Sequence, residues 1–226
     1  MFKYSFEDVE KFWNNVSETL NKAQHFYPKI KSFHEYEEKL ITSLLKDKDS
    51  KILELGCGTG RILKLLKSKG FNGIYGIDAS RIMIKICREN SRSIVLLQRD
   101  FRTRLPFEEN FFDFIMLVGN TLANVDSPNL VFKEVCRVLN PNGKFIIGCF
   151  NADFMTDKLV KNYYGKLPKP IELKRFDKKT KTVYIGNLFS RWVTENELKK
   201  LIEKSGLKVD SIQKKGIGLI AIAKKE

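Results

Sequence analysis

Apolar positions in the first 50 residues recur at intervals of three and four. Phe6, Val9, Phe12 with Trp13, Val16 and Leu20 make one stripe; Ile30, Phe33, Tyr36 with Glu37, Leu40 with Ile41 and Leu44 with Leu45 make another. This spacing predicts two amphipathic helices separated at Pro28. The pattern then shortens abruptly. Lys51-Ile-Leu-Glu-Leu55 predicts a buried strand running into glycines, and Ile62 to Leu66 predicts a helix stopped by Gly70. Gly73 to Ile77 is a second strand, followed by a helix carrying Ile82, Met83, Ile86 and Cys87 with Ser80 as its N-cap. Ile94 to Leu97 is a third strand and Phe111 to Val118 a fourth. Ser127-Pro128 opens a helix that buries Val131, Val135 and Val138, Asn140-Pro-Asn-Gly143 is a turn, and Lys144 to Phe150 a fifth strand. Strands that are apolar throughout and alternate with helices imply a parallel sheet covered on both faces.

Residues 151–192 interrupt that alternation. Phe154 to Tyr164 reads as a short helix, and Ile171 to Phe176 with Thr182 to Trp192 as two strands around the polar loop 177–181. The expectation is a small antiparallel hairpin laid over the sheet edge. Thr194 with Glu197 is a capping box for a helix through Leu198, Leu201 and Ile202, ended by Gly206. Leu207 to Ile212 and Ile217 to Ile222 then predict a terminal antiparallel hairpin. The fold class is therefore α/β, a doubly wound and mostly parallel seven-stranded sheet. One domain is expected over 1–226: a helical cap (1–50), a core (51–150), an excursion (151–192), and the last helix and strands (193–226).

Composition narrows the class. With 226 residues, 42% hydrophobic and 30% charged, the chain can bury a substantial core. Its longest weakly charged apolar run, Phe114 to Val125, contains Gly119, Asn120 and Asn124, so no membrane span is predicted, and the opening residues carry no apolar signal core. A cytoplasmic globular protein is expected. Cys57, Cys87, Cys136 and Cys149 stand far apart and the histidines, His25 and His34, lie elsewhere, which predicts reduced cysteines and no metal site. Both histidines are expected on helix surfaces. The net charge is +14, and residues 151–192 hold 10 basic against 4 acidic residues. A basic surface can attract nucleic acid, or an anionic acceptor if its lysines point inward, but 31 lysines against 10 arginines also fit solvated faces.

Chemistry concentrates at the strand ends. In Glu54-Leu-Gly-Cys-Gly-Thr-Gly60 three glycines alternate after a strand and before a helix, where a ligand can approach the backbone. A dinucleotide GxGxxG loop would have glycine where Arg61 stands, and Glu54 would repel a pyrophosphate while suiting an ammonium or sulfonium. Asp78 ends the second strand, where an acid can accept both hydroxyls of a ribose or serve simply as a helix-terminal acid. Asp100 ends the third and can accept from an adenine amino group beside Phe101.

These residues, with Gly76-Ile-Asp78-Ala-Ser80, Arg99-Asp100, Leu105-Pro-Phe, Phe112-Asp-Phe-Ile and Val135-Cys-Arg-Val-Leu-Asn-Pro-Asn-Gly-Lys-Phe, resemble the class I S-adenosylmethionine-dependent methyltransferases over residues 51–150. The resemblance implies a Rossmann-like sheet, S-adenosyl-L-methionine as methyl donor and S-adenosyl-L-homocysteine as product. It further implies that Gly56, Cys57, Gly58 and Gly60 line the methionine and ribose, that Glu54 helps hold the amino group, and that Asp78 grips the ribose hydroxyls. Ala79 would flank the adenine, Asp100 and Phe101 would read its amino edge, and Gly119-Asn120 would face the methyl group. Asn124 stands where many relatives carry a histidine.

The acceptor is not written in these motifs. There is no Asn/Asp-Pro-Pro-aromatic tetrapeptide after the fourth strand, as adenine-N6 enzymes have, and no cysteine there for cytosine-C5 chemistry. The chain resembles the small-molecule branch, in which the N-terminal helices and the excursion after the fifth strand form the acceptor pocket. Tyr27, Asn124, Tyr163 and Tyr164 are the candidate acceptor residues; Trp13, Phe26, Phe189 and Trp192 share those segments and are expected mostly in the core. The expected reaction moves a methyl group to an oxygen or nitrogen of a small molecule, with a monomer or homodimer as assembly. An RNA or protein methyltransferase docking through 151–192, or a non-catalytic cofactor-binding subunit, are the alternatives.

Overall fold

The hydroxyl of Ser5 accepts from the Asp8 amide and the Asp8 carboxylate accepts from the Ser5 amide, and this reciprocal cap starts α1 (Phe6–Phe26). The structure is a computed structural model that describes residues 3–89, 93–165 and 172–226, with the side chains of 17–26 and 164–165 outside the description. Pro28 opens α2 (Pro28–Leu44), which buries Ile30, Phe33, Glu37 and Ile41 on one face. The core follows as β1 (Ile52–Leu55), α3 (Arg61–Ser68), β2 (Ile74–Asp78), α4 (Arg81–Glu89), β3 (Val95–Gln98) and β4 (Phe112–Leu117). Then come α5 (Pro128–Val138), β5 (Leu139–Phe150), α6 (Asp157–Gly165), β6 (Leu173–Asp177), β7 (Thr182–Ile185), β8 (Leu188–Arg191), α7 (Glu195–Lys204), β9 (Lys208–Lys215) and β10 (Gly218–Lys224).

The main sheet has seven strands in the order β3-β2-β1-β4-β5-β10-β9. β1 to β5 run parallel, and β10 pairs antiparallel with both β5 and β9. Alternate side chains enter two separate cores. Ile52, Met116 and Ile146 join α3, α4 and the N-terminal helices on one face, while Leu53, Ile115 and Ile147 meet α5 and α7 on the other. The expected doubly wound sheet with its terminal antiparallel hairpin is thus the observed one. The strand order reverses between β1 and β4, which opens a crevice beyond their carboxyl ends, the usual ligand position in such sheets.

Several local expectations needed tertiary correction. On α4, Ile84 is buried with Met83 and Cys87, whereas Ile82 is 42% exposed. Ser80 does cap that helix, its hydroxyl accepting from Met83 N. Ser127 makes no side-chain cap bond, and Pro128 alone marks that start. The turn expected at Asn140–Gly143 lies within β5 as an outward loop, with Asn142 at φ +62° and the β4 register shifted between Phe112 and Phe114. Helix α6 begins at Asp157, because Ala152–Phe154 forms a separate 3-10 turn.

The excursion differs most from its reading. The segment Thr182 to Trp192 is two strands, broken at Gly186 with φ +48°, so β6, β7 and β8 make a three-stranded meander in place of a hairpin. It does not sit at a sheet edge. Val183, Ile185, Leu188 and Trp192 are buried in the same core as Phe12, Ile30 and Phe150, and the Asn124 amide donates to the Phe189 carbonyl at 2.5 Å. The meander therefore roofs the tips of β4 and β5, with α1 beside it. Ile171, the expected start of its first strand, lies outside the described residues.

Candidate functional site

A cavity of about 300 Å³ lies at the β1/β4 crevice, under α1, α2, α6 and the meander. Its floor is polar. Glu54, Gly56, Cys57, Gly58, Asp78, Ala79, Asp100, Phe101, Gly119 and Asn120 all line it, so ten of the sequence-derived positions meet in one place. Gly60 does not. It packs against α4, where a Cβ would collide with the Cys87 sulfur, and its left-handed φ of +86° ends the turn. Gly58, at φ +52°, faces open space, since a Cβ there would meet only the Met83 sulfur at 3.6 Å. One glycine is needed for the fold and the other leaves room for a ligand.

The three acids are held differently. Asp78 Oδ2 accepts from Gly58 N and Oδ1 from Ser80 N, both at 2.8 Å, so one carboxylate links the glycine turn to the start of α4. Burial raises its pKa and those amides pull it back down. Asp100 is gripped by Arg102, whose Nε donates at 2.9 Å and Nη2 at 2.8 Å, while Arg102 Nη1 reaches Asp126 at 3.2 Å. Glu54 differs: it is buried and its Oε2 has no hydrogen-bond partner. Burial pushes Glu54 up to about 8; Arg61 acts downward, Glu37 and Asp78 upward. A carboxylate so placed gains most from an arriving cation.

Arg61, which replaces the sixth glycine, ties the cap to the floor. Its Nη2 donates to Glu37 Oε2 and its Nη1 to Glu38 Oε1, each at 2.8 Å. Glu37 Oε1 also accepts from Gly119 N at 2.9 Å, and a side chain at Gly148 would collide with it. In the sequence Glu37 was one position of a helical stripe; nothing local marked it as a buried acid at the tip of β4.

The roof is apolar, built from Val9, Phe12, Trp13, Ile30, Phe150, Tyr163 and Ile185. Of the candidate acceptor residues, Tyr163 and Asn124 line the cavity. The Asn124 amide is engaged with Phe189, and Tyr163 meets Phe150 edge-on at 6.0 Å. Tyr27 does not line it. Its hydroxyl donates to the Asn162 carbonyl and, at 3.2 Å, to that of Tyr163, so it braces α6. The Tyr164, His25 and Phe26 side chains lie outside the described residues. Phe189 and Trp192 are buried as expected. His34 corrects its surface assignment: it lines the cavity, and both ring nitrogens are buried without a partner.

Among the described residues the basic excess of 151–192 does not enter the site. Lys158, Lys161, Lys174, Lys178 and Lys179 are exposed, and among the described residues the cavity is lined by no lysine. Its cations, Arg61 and Arg102, are both paired to carboxylates.

The profile of a family described as "Methyltransferase domain" matches residues 53–147. The demethylmenaquinone methyltransferase of Staphylococcus carnosus is 30% identical over 214 residues, covering 89% of this chain and 86% of that protein. The chain belongs to the class I S-adenosylmethionine-dependent methyltransferases. The Staphylococcus aureus demethylmenaquinone methyltransferase is 29% identical, over 88% of this chain and 85% of its own. Among solved structures, a Pyrococcus horikoshii protein aligns with a TM-score of 0.67 at 27% identity, covering 84% and 87% of the two chains. A Methanosarcina mazei S-adenosylmethionine-dependent methyltransferase aligns at 0.64 and 25%, covering 82% and 96%. This methyltransferase therefore uses S-adenosylmethionine, and the floor suits that molecule on its own evidence. A buried acid with one unpartnered oxygen, a glycine with open space before it and carboxylates at three strand ends fit a cationic, ribose-bearing ligand. Among the described residues no helix is long and apolar enough to cross a membrane.

Proposed function

We propose that the protein methylates a small, largely apolar, ring-bearing acceptor that carries oxygen, of the quinol type. The observation that carries the reading is the division of the cavity into a polar floor and an aromatic roof. The floor accounts for the cofactor. Asp78 accepts the ribose hydroxyls, Asp100 and Phe101 meet the adenine edge, the backbone of Gly56 and Gly58 admits the chain of the methionine, and Glu54 faces its ammonium. Bound S-adenosylmethionine supplies a methyl group made electrophilic by a cationic sulfur.

The residues of the roof then have one task, to seat the acceptor in line with that methyl and exclude water. Phe12, Trp13, Phe150 and Tyr163 offer ring faces and edges to a flat apolar body, and the absence of lysine among the described lining residues gives no preference for an anion. The Staphylococcus relatives, named for demethylmenaquinone, support the same class. Such an acceptor offers a hydroxyl oxygen and a ring carbon, and the latter lies outside the oxygen or nitrogen expected from the sequence.

The experiment supplies cofactor labelled in its methyl group together with a reduced short-chain demethylmenaquinone, a metabolite extract or an RNA pool. Label is expected in the quinol or in organic-soluble ring compounds of the extract, and the carbon spectrum of the product locates the methylated atom. Label in RNA alone would overturn the reading and return the exposed lysines of the excursion to consideration as a docking face.

A further inference from the structure

The roof of the cavity is apolar apart from a few groups, and two of the asparagines that line the cavity are engaged. The Asn124 amide is spent on the Phe189 carbonyl, and Asn120 Oδ1 accepts from Phe150 N at 2.8 Å. His34 is not. It lies on α2 against the cavity, and neither Nδ1 nor Nε2 finds a hydrogen-bond partner although both are buried. Leaving buried polar atoms unsatisfied is costly, and such atoms beside a native cavity call for an explanation.

The ring has the character of a neutral hydrogen-bonding group. Burial, followed by the nearby Arg61 cation, pushes its pKa down to about 3, so it stays uncharged across the physiological range. Arg61 donates weakly to the His34 carbonyl at 3.4 Å and is itself held by Glu37 and Glu38 on the same helix as His34, so this cation is already paired. A neutral imidazole has one donor and one acceptor. It can serve a hydroxyl in both directions, and it offers nothing to an ammonium beyond one lone pair.

Its neighbours give its place. Phe33, adjacent in the chain, has its ring 6.0 Å from Phe150, and Phe150 meets both Tyr163 and Trp192 edge-on. His34 thus belongs with the aromatic roof, while Asp78 and Asp100 occupy the strand ends of the floor.

We infer that His34 is the specificity-determining anchor of the methyl acceptor, binding a hydroxyl on an apolar ring through its neutral imidazole. The inference rests on the proposed acceptor class, and it adds a residue and a functional group to it. A bound hydroxyl would give one of the two unpartnered ring nitrogens a hydrogen bond. No proton is removed by His34 in this role: a group whose pKa is that low is a poor general base at neutral pH, and its contribution is to binding and orientation.

The test reads binding without turnover. The protein is saturated with S-adenosylhomocysteine, and the affinities of 1-naphthol and naphthalene are measured by quenching of tryptophan fluorescence. Wild type is expected to prefer 1-naphthol by tenfold or more. His34→Phe, which keeps a ring of similar size without polar atoms, is expected to lose that preference while binding naphthalene and S-adenosylhomocysteine within about twofold of wild type. His34→Asn, which retains a donor and an acceptor, is expected to recover part of it. An equal preference for 1-naphthol in wild type and His34→Phe overturns the inference. So does a tenfold loss of S-adenosylhomocysteine affinity in His34→Phe or His34→Asn, which would make His34 a cofactor contact. If the preference for 1-naphthol depends on His34 but labelled methyl enters only RNA, the proposed function falls and the hydroxyl site at His34 stands.

Discussion

The guanidinium of Arg61, the first residue of α3, lies 2.8 Å from the carboxylate of Glu37, a side chain of α2 with no exposed surface. That pair joins the N-terminal helices to the glycine turn, and through Glu37 Oε1 it also holds Gly119 at the end of β4. Helix α2, which helps roof the cavity, is thereby tied to the floor through Glu37, beside the Arg61–Glu38 pair. Breaking such a pair from one side leaves an uncompensated charge, whereas replacing both partners by apolar groups is much less harmful.

Arg61→Leu is accordingly expected to lower unfolding stability by about 3–5 kcal/mol, read from the urea midpoint. Adding Glu37→Gln should restore a good part of that loss, because the amide can still accept from Gly119 N. If the double variant is no more stable than the single, the Glu37 charge is not what Arg61 neutralises.

Gly58 and Gly60 should fail in different ways. A left-handed φ costs an alanine about 1–2 kcal/mol at either site. At Gly58 the methyl group points into the cavity, so S-adenosylhomocysteine affinity measured by calorimetry should collapse with only that modest destabilisation. At Gly60 it strikes Cys87, so Gly60→Ala should lower the melting temperature well beyond Gly58→Ala. The reverse pattern would remove Gly58 from the ligand site.

Asp78 holds two backbone amides as well as facing the cavity, so truncating it would disturb the turn itself. Asp78→Asn is the better probe. Charge-assisted hydrogen bonds contribute about 1.5–3 kcal/mol each, so its loss of charge should weaken S-adenosylhomocysteine binding at least tenfold. A 2′-deoxy analogue should then lose less in the variant than in wild type. An identical analogue penalty in both proteins would leave Asp78 as a helix-terminal acid only.

Glu54 predicts a proton linkage. With its pKa pushed up to about 8, the acid is mostly protonated in the free protein at neutral pH. A ligand ammonium favours the carboxylate, so binding should expel a proton, and affinity should rise as pH is raised from 6 towards 8 and level off above it. Calorimetry in buffers of different ionisation enthalpy counts the released proton. Glu54→Gln should bind more weakly with no pH slope below 8; an unchanged slope would assign the proton to another group.

How much of this was legible along the chain follows from the range of the forces involved. Strand and helix periods, the Thr194–Glu197 cap and the glycine turn depend on neighbours within a few residues, so the seven-stranded α/β fold and the floor of the site could be read directly. Ten of the eleven positions expected to meet the cofactor line the cavity because strand ends in a parallel sheet converge by topology alone. The roof obeys no such rule. Whether Tyr27 faces a ligand or braces α6, whether His34 is on the surface or in the cavity, and where a buried Glu37 finds its cation depend on how α2 settles against β4 and β5. Those contacts span more than twenty residues of sequence for Glu37–Arg61 and more than a hundred for Tyr27–Tyr163. A helical stripe specifies which face is buried, but the partner across the interface is chosen by packing, and at the cavity wall a polar residue on that face is kept by what it can bind there.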